Sequence, residues 1–437
     1  MKRIYTVVRW RFPLRGLGGC VLAFSLFLLS CSPTNFITKT LKHSSDSLHH
    51  HTGFVLYDPI KKKNIISING DKYFTPASNA KIFTLYAGLK ILGDSVPALR
   101  YLNRNDSLIF WGTGDPSFLY PDVFQNGRVY SFLKSAKSKL YISPSNFQDD
   151  VYGPGWSWAD YMDYYQVERS SLPMYGNLLF ASRGKGVEPK SFQSNIVEDN
   201  KASADVWRDR FSNKFIINPT KLPKTGKSLV PFITSDSLLV KLLSDTLKRD
   251  VVLAHKKINT NSKTLYSIPI DSIYKVMMHV SDNFIAEQIL MVCSQKISDS
   301  LSADIVIKKV KKDFFADAPD AFVWVDGSGL SRYNQFTPRT IIKLWEKIYS
   351  IVPQERLFPL LVSNGNNGTL RNMLKDKPAF IFGKTGSLAN NYCLSGYLVT
   401  KKNHLLIFSS MNANFVSGTK PIRDNLAKTL LYIYEHY

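Results

Sequence analysis

Three short motifs occur in one order along this chain, and they constrain its fold more than any other feature. They are Ser-Asn-Ala-Lys at residues 78–81, Ser-Asp-Asn at residues 281–283 and Lys-Thr-Gly at residues 384–386. Each contains hydroxyl, amine or amide groups of the kind that serve in nucleophilic and acid–base chemistry. If the three form one site, the fold must bring together segments from three distant parts of the chain.

Other copies of these motifs do not fit the order or lack a suitable context. Residues 131–134 and 417–420 also spell Ser-x-x-Lys, but the first copy lies in a lysine-rich stretch and the second follows every Lys-Thr-Gly. A second Lys-Thr-Gly at residues 224–226 lies among prolines and precedes the Ser-Asp-Asn motif. By contrast, Ser78 opens an apolar helix-like run and Lys384 ends an apolar strand-like run. The first set is therefore the candidate site.

The first motif has the spacing of a nucleophile and its base. Ser78 and Lys81 are three residues apart on a predicted helix, so both side chains lie on one face, about one turn apart. Lys81 can accept a proton only when it is neutral, and its ordinary pKa of about 10.4 must therefore fall by several units. Burial and a second nearby cation would lower this pKa, and Lys384 is the predicted second cation.

The remaining motif residues have predicted roles around that pair. Ser281 is placed to relay a proton to the leaving nitrogen, and Asn283 to hold the base and a substrate amide by hydrogen bonds. Thr385, together with the lysine before it, would bind a terminal carboxylate, while Gly386 lets an extended substrate approach the strand closely. The backbone N–H groups of the nucleophilic serine and of Ser387 would form the oxyanion hole.

The first 31 residues have the composition of an export signal. A basic leader precedes an apolar run at residues 21–29, which is too short to span a bilayer comfortably as a helix. The run ends in Leu-Leu-Ser-Cys, which resembles a bacterial lipobox and predicts that lipid is attached to Cys31. The alternative is an ordinary cleaved signal in which Cys31 has no role.

Charge and cysteine content limit the partners that this chain can have. Its formal charge of +22 would suit nucleic acid, but an exported protein meets anionic lipids and acidic wall polymers instead, so we expect no nucleic-acid partner. Cys293 and Cys393 each lie in an apolar run and are predicted to be buried free thiols, with a disulfide as the alternative. No Cys/His spacing indicates zinc, and we expect neither a metal nor a cofactor.

Strand-like segments occur near both ends of the mature chain and predict an α+β fold. A closing helix is predicted at residues 422–437. Together these elements predict one antiparallel five-stranded sheet, closed by both chain ends and flanked by helices. The five segments are residues 53–57, 64–69, 379–382, 392–399 and 404–409.

Composition divides the chain into four parts. Residues 1–31 form the signal, and residues 32–51, which are rich in Ser, Thr and His, are predicted to be a flexible tether. Residues 52–102 and 263–437 would form the catalytic domain. The stretch 103–262 has its own turn signals and many short aromatic-rich runs, so we interpret it as an inserted, mostly β domain.

Longer segments resemble a known family, the D-alanyl-D-alanine carboxypeptidase/endopeptidases, or class C low-molecular-mass penicillin-binding proteins. The resemblance lies in residues 53–92, 280–290 and 383–388, and most specifically in the run Asp-Gly-Ser-Gly-Leu-Ser-Arg at residues 326–332. The order of the three motifs is itself typical of penicillin-binding proteins and β-lactamases. The resemblance implies a β-lactamase/transpeptidase-like domain with a β-rich insertion. It also implies a serine DD-peptidase that acts on peptidoglycan stem peptides and is inhibited by β-lactam antibiotics.

In that family the inserted domain helps to form a pocket for the third residue of the stem peptide. When this residue is diaminopimelate, its side chain ends in an amine and a carboxylate. The resemblance implies Asp160 as the acid, Tyr165 as the aromatic wall and Arg332 as the guanidinium that binds the carboxylate. The alternative is that Asp160 is a surface acid and Arg332 a structural ion-pair partner. The chain departs from the family at Ala389, where a substrate-contacting Gln is usual.

Two other functions remain open from the sequence. A serine β-lactamase would share Ser78, Lys81 and Lys384, but the sequence contains no Glu-x-x-Leu-Asn run of the class A type. A non-catalytic wall-binding lipoprotein could keep the fold, yet every predicted catalytic position holds a suitable residue. We therefore predict a serine D-alanyl-D-alanine carboxypeptidase/endopeptidase, anchored by a lipid on Cys31 to a membrane facing the periplasm of a Gram-negative bacterium.

Overall fold

The computed structural model describes residues 33–123 and 125–437, so the predicted signal and Cys31 lie outside the described residues. The strands are β1 (His51–Asp58), β2 (Lys63–Ile68), β3 (Ser95–Arg104), β4 (Ser107–Gly112), β5 (Lys139–Ile142), β6 (Leu178–Ser182), β7 (Gly186–Glu188), β8 (Ile196–Glu198), β9 (Val206–Arg208), β10 (Phe215–Ile217), β11 (Ser228–Pro231), β12 (Val251–Leu253), β13 (Lys263–Pro269), β14 (Val362–Ser363), β15 (Ile381–Leu388), β16 (Asn391–Val399) and β17 (Leu405–Ala413). The helices are α1 (Pro33–Ser47), α2 (Lys81–Ile91), α3 (Arg128–Ser135), α4 (Asp236–Leu247), α5 (Ile270–His279), α6 (Asn283–Ser298), α7 (Ala303–Lys309), α8 (Pro338–Ile351), α9 (Gln354–Leu357) and α10 (Thr419–His436). Shorter 3₁₀ or π segments lie at Ala77–Ala80, Trp158–Asp160, Tyr175–Asn177, Lys190–Asn195, Val310–Phe314, Phe358–Leu360 and Gly368–Leu370.

The main sheet joins both ends of the chain, because β1 pairs with β17. Its order is β14-β15-β16-β17-β1-β2, and all neighbours are antiparallel. All five predicted strands are present, but the prediction of five strands is one short. The sixth, β14, pairs with β15 through Val362 and Ser363 only. A strand of two residues has no periodicity that a sequence could reveal.

The main sheet is covered on both faces, as alternation along β1 shows. Val55 belongs to the core that contains α2, α6 and α8. Phe54 and Leu56, on either side of it in the sequence, belong to a second core that contains α1 and α10. Because successive side chains of a strand point to opposite faces, burial on both sides makes the strand apolar along most of its length. This places the helix after Ser78 against the sheet.

The predicted flexible tether is, over most of its length, the helix α1, so that prediction is wrong. Ile37 and Leu41 are buried against the core that includes α10. The rings of Phe36 and Tyr432 stack with their centroids 4.0 Å apart. The i, i+4 spacing of these two buried apolar side chains is typical of a helix packed on one face. Because these two apolar residues lie among many Ser, Thr, His and Lys residues, the composition of the segment did not indicate a helix.

The inserted domain has a core of its own. Its largest sheet, β12-β5-β4-β3-β13, is mixed, because β5 runs parallel to β4 and to β12. Two three-stranded sheets, β8-β10-β9 and β11-β6-β7, complete its β structure. Strands β3 and β13 pair with each other inside the largest sheet, so this unit extends beyond the predicted limits of 103 and 262. The predicted limits were placed at turn signals. The sheet also includes most of β3, which precedes the first limit, and β13, which follows the second.

Candidate active site

The 3₁₀ turn before α2 places Ser78 beside Lys81. Ser78 is partly exposed and Lys81 is fully buried. Lys81 Nζ lies 3.0 Å from Ser78 Oγ, and it donates hydrogen bonds to Asn283 Oδ1 at 2.6 Å and to the Ser328 carbonyl at 2.7 Å. In a neutral amine, two N–H bonds point to these two acceptors and the lone pair faces the Ser78 hydroxyl. This geometry suits Lys81 as the base for Ser78.

Burial lowers the pKa of Lys81 from its ordinary value to about 8. The carboxylates of Asp326, Asp282 and Glu287 oppose this change, because they favour the ammonium form. The pKa of Lys384 is also well below its ordinary value, first because of burial and then because of repulsion by Lys81. We predicted that burial and a second cation would lower the pKa of Lys81. Burial is the largest cause there, and the repulsion between the two lysines is seen in the lowered pKa of Lys384.

Ser281 lies between α5 and α6 and faces Lys384. The Lys384 amine donates to Ser281 Oγ and to the Thr385 carbonyl, each at 2.8 Å. Ser281 has a φ of 64°, a left-handed conformation that costs energy in any residue other than glycine. Asp282 caps the first turn of α6, and the hydroxyl of Tyr120 donates to the same carboxylate at 2.8 Å. Tyr120 belongs to the inserted domain, which therefore supports the second motif.

Strand β15 carries the third motif directly past the nucleophile. A Cβ on Gly386 would lie 2.6 Å from the Pro76 carbonyl oxygen and 3.0 Å from the Ser78 nitrogen, so this close approach requires glycine. Asn79 joins the two segments by donating to the Lys384 carbonyl at 3.0 Å. The backbone of β15 is thus held against the turn that bears the nucleophile.

The Asp-Gly-Ser-Gly-Leu-Ser-Arg run forms a loop against the same turn. The buried Asp326 carboxylate accepts two backbone N–H groups of this loop, at 2.7 and 2.9 Å, and the indole N–H of Trp156 at 2.9 Å. Gly329 has a φ of 82°, and a Cβ there would overlap the Ala77 carbonyl, so the loop requires glycine at this position. This packing brings the Ser328 carbonyl to the buried amine of the first motif.

A cavity of about 730 Å³ opens beside Ser78 and includes all three residues of the predicted specificity pocket. Arg332 donates to the Ala389 carbonyl at 3.2 Å, and the Tyr165 hydroxyl donates to Asp163 at 3.0 Å. The Tyr165 carbonyl also accepts the side-chain amide of Asn283 at 3.0 Å. The inserted domain and the catalytic domain therefore meet at this cavity. Its lining consists of Ser78, Gly155, Ser157, Asp160, Tyr165, Asn283, Gly329, Leu330, Arg332, Ser387, Leu388 and Ala389.

Two further groups in the site were not identified from the sequence. The Thr369 hydroxyl lies 2.7 Å from that of Thr385. Glu287 accepts the backbone N–H of Ser328 at 2.7 Å. Thr369 belongs to none of the motifs and carries no sequence signal. Glu287 follows Asn283 by four residues, which places both on one face of α6, and this spacing could have identified it.

Two features outside the site are the internal cysteines and the distribution of side chains that bind metals. Cys293 and Cys393 are buried free thiols, as predicted, and burial raises the pKa of Cys393 to about 12. Within residues 33–123 and 125–437, no group of three or more His, Cys, Asp or Glu side chains could hold a metal ion. The helices of these same residues are all too short or too polar to cross a bilayer.

A known family and several known proteins match the chain over most of its length. The model of the D-Ala-D-Ala carboxypeptidase 3 (S13) family matches residues 37–188 and 233–430. The D-alanyl-D-alanine carboxypeptidase DacB of Haemophilus influenzae is 22% identical over an alignment of 459 positions, gaps included, which covers 92% of this chain and 92% of that protein. A D-alanyl-D-alanine carboxypeptidase of Actinomadura is 24% identical over an alignment of 440 positions, gaps included, which covers 87% of this chain and 81% of that protein.

Solved structures show the same fold. Penicillin-binding protein 4 (DacB) of Haemophilus influenzae matches with a TM-score of 0.73 at 21% identity, over 90% of this chain and 99% of that chain. The same protein complexed with a β-lactam matches with a TM-score of 0.68 at 19% identity, over 93% and 100%. The α+β, transpeptidase-like fold is therefore confirmed. Since the family model matches well over half of the sequence, the chain belongs to the D-Ala-D-Ala carboxypeptidase 3 (S13) family and is a serine-type carboxypeptidase.

Proposed function

We propose that this carboxypeptidase cleaves the bond that follows a D-alanine in peptidoglycan stem peptides or cross-links, through an acyl-enzyme on Ser78. The observation that carries the proposal is the 3.0 Å contact between Lys81 Nζ and Ser78 Oγ in a buried site. With a pKa of about 8, Lys81 is partly neutral near neutral pH and can act as a base. An ordinary surface lysine would be almost entirely protonated there.

Acylation begins when Lys81 accepts the Ser78 proton and Ser78 Oγ attacks the carbonyl carbon of the penultimate D-alanine. The backbone N–H groups of Ser78 and Ser387 stabilise the oxyanion. The C–N bond then breaks, the leaving amine takes up a proton, and an ester to Ser78 remains. Attack by water on this ester releases the shortened peptide and restores the serine.

The other two motifs bind the leaving group and supply its proton. Ser281, which is hydrogen bonded to Lys384, relays the proton that Lys81 accepted to the leaving nitrogen. Lys384 and Thr385 bind the terminal carboxylate, and Asn283 holds the base and the amide of the substrate. Gly386 leaves room for an extended substrate along the edge of β15.

The cavity beside Ser78 supports a second, finer proposal about the stem peptide. Asp160, Tyr165 and Arg332 line this cavity, so a side chain that extends from the bound peptide would meet an acid, an aromatic ring and a guanidinium. These groups complement a side chain that ends in both an amine and a carboxylate, as in diaminopimelate. We infer that the third residue of the preferred stem peptide is diaminopimelate rather than lysine.

A fluorescent penicillin tests the acyl-enzyme directly, because a β-lactam carries an amide that Ser78 would open to form a stable ester. The wild type should be labelled, and Ser78→Ala should not be. Ser417→Ala, which changes the exposed serine of the rejected Ser-x-x-Lys copy, is the matched control and should be labelled normally. An adduct found by intact mass on another serine would refute the assignment. Rapid loss of the label would favour a serine β-lactamase instead.

We also propose where this enzyme acts. The basic leader, the short apolar run and the Leu-Leu-Ser-Cys sequence at residues 28–31 support export and lipid attachment to Cys31. A lipid at this position would hold the enzyme on a membrane that faces the periplasm of a Gram-negative bacterium. Its substrate, the peptidoglycan stem peptide, lies in the same compartment. The net positive charge of the chain also suits a surface of anionic lipids or wall polymers.

A further inference from the structure

One of the two acceptors that orient Lys81 is a backbone carbonyl, so its position depends on how its loop is held. The Ser328 carbonyl accepts the Lys81 amine at 2.7 Å. The N–H of the same residue donates to Glu287 Oε1 at 2.7 Å. The preceding carbonyl, of Gly327, accepts the hydroxyl of Thr84 at 2.7 Å. The segment at Ser328 is therefore fixed by one side chain from α6 and one from α2.

Glu287 is a buried carboxylate that is paired with a buried arginine of the inserted domain. It is 1% exposed, and its second oxygen, Oε2, accepts no hydrogen bond among the described groups. That oxygen faces Nη1 of Arg169, also 1% exposed, at 3.6 Å. The guanidinium is held by the carbonyls of Asp150 and Tyr152, at 3.1 and 2.9 Å, and by Asp149 at 3.4 Å. Arg169 belongs to the inserted domain, so this ion pair joins the two domains behind the active site.

A buried ion pair of this kind is poorly explained by stability alone. Removing two charges from water costs free energy that their attraction need not recover, and a well-packed apolar pair often stabilises a fold equally well. The charged groups that face Glu287 are Asp326, Arg169 and Lys81. Burial and repulsion by Asp326 raise the pKa of Glu287 above its ordinary value, while Arg169 opposes the rise and favours the carboxylate form. The Glu287 carboxylate in turn favours the ammonium form of Lys81.

We propose that Glu287, supported by Arg169, is a positioning residue for acylation, which fixes the Ser328 carbonyl against Lys81 and adds a negative charge near that amine. The inference rests on the proposed function and deepens it. The hydrogen bond to the Ser328 N–H orients the lysine, and the negative charge favours its ammonium form. Through Arg169, the inserted domain contributes to the base of the reaction as well as to the substrate cavity.

Two substitutions separate the hydrogen bond from the charge. Glu287→Gln keeps an oxygen for the Ser328 N–H but removes the charge, so the ammonium form of Lys81 loses support. We expect the midpoint of the pH–rate profile for penicillin acylation to move to lower pH by roughly one unit. Glu287→Asp keeps the charge, but its side chain is one methylene shorter. We expect acylation to slow roughly tenfold or more at an unchanged midpoint.

The neighbouring Gln288 provides a matched structural control. It is fully buried on α6 and donates to the carbonyls of Gly114 and Ser170, both at 2.9 Å, and among the described residues its side chain has no hydrogen bond to Ser328. Gln288→Leu should lower the Tm and leave the midpoint of the pH–rate profile where it is in the wild type.

Three outcomes would contradict these inferences. Equal midpoints in Glu287→Gln and the wild type would overturn the charge role. A wild-type acylation rate in Glu287→Asp would overturn the hydrogen-bond role. If Glu287→Gln does not fold, the rate of Glu287→Asp alone tests the positioning role. Failure of penicillin to label wild-type Ser78 would instead refute the proposed function.

Discussion

The Lys384 amine donates a hydrogen bond to the Ser281 hydroxyl at 2.8 Å, so the second and third motifs are joined through their side chains. The first motif has its own internal contact, between Lys81 and Ser78 at 3.0 Å. Two lysine–serine pairs therefore lie in one site. We propose that the first pair activates the nucleophile and that the second delivers a proton to the leaving group.

Loss of the Ser281 hydroxyl tests the second pair. Ser281→Ala should slow penicillin acylation and peptide cleavage by roughly 10²- to 10⁴-fold, because the proton relay is removed. Ser281→Gly also lacks the hydroxyl but adopts a φ of 64° without strain. We expect it to be equally inactive and more stable than the alanine variant by about 1 kcal/mol. Labelling rates and thermal unfolding measure the two effects, and near-normal labelling of Ser281→Ala would exclude the relay.

The pKa of Lys81 predicts how acylation depends on pH. Only the neutral amine accepts the Ser78 proton, and burial lowers its pKa to about 8. The acylation rate of the wild type should therefore rise about tenfold per pH unit below that value and level off above it. Lys81→Arg stays protonated throughout and should not acylate. A stopped-flow profile that is flat across this range would show that Lys81 is not the base.

Thr369 is expected to orient the carboxylate-binding hydroxyl of Thr385, which lies 2.7 Å from it. Thr369→Val keeps the shape and removes the hydroxyl, so kcat/KM for a peptide with a free terminal carboxylate should fall roughly five- to tenfold. Thr369→Ser restores the hydroxyl and should recover most of the activity. The same peptide with an amidated terminus serves as the control. If Thr369→Val reduces cleavage of both peptides equally, the hydroxyl does not act through the carboxylate.

The specificity pocket is tested by comparing two substrates. Arg332→Ala and Asp160→Ala should each lower kcat/KM for a diaminopimelate peptide by roughly ten- to a hundredfold, because each removes a charge-assisted contact. Penicillin lacks that side chain, so its acylation rate should change little. Equal losses with both compounds would mean that the two residues support the fold. Unchanged cleavage of the peptide would place the pocket elsewhere.

Lipid attachment is tested by replacing the sulfur atom of Cys31 with oxygen. Cys31→Ser keeps the size of the side chain but cannot form the thioether on which a lipobox depends. We expect the wild type in the membrane fraction and the variant in the soluble fraction. Cys293→Ser, which alters a buried thiol, is the control and should not change the fractionation. A Cys31→Ser protein that stays with the membrane would contradict the lipobox interpretation.

The sequence revealed the site because its chemistry is concentrated in short motifs. Ser78, Lys81, Ser281 and Lys384 could be identified from spacing and order, and the structure brings all four together. Contacts between distant side chains left no such signal. The pairing of Glu287 with Arg169 joins two domains, and neither residue reveals its partner in a single sequence.

The errors in the predicted fold have a common physical origin. Composition suggested a tether where α1 forms, because helix formation there depends on a few buried side chains and on the surface that they cover. The limits of the inserted domain were placed at turns, whereas the pairing of β3 with β13 determines which sheet each strand joins. In both cases the deciding contact is tertiary and involves residues far away in the chain.

The packing of α1 has a consequence for the range of action of this enzyme. The helix begins at Pro33, two positions after Cys31, and two residues span at most about 7 Å even when fully extended. A lipid on Cys31 would then hold the folded body directly at the bilayer, without an extendable arm. The substrate cavity would then reach only the thin layer of peptidoglycan next to that membrane. Which cross-links are cut would depend on their height above the membrane as well as on their chemistry.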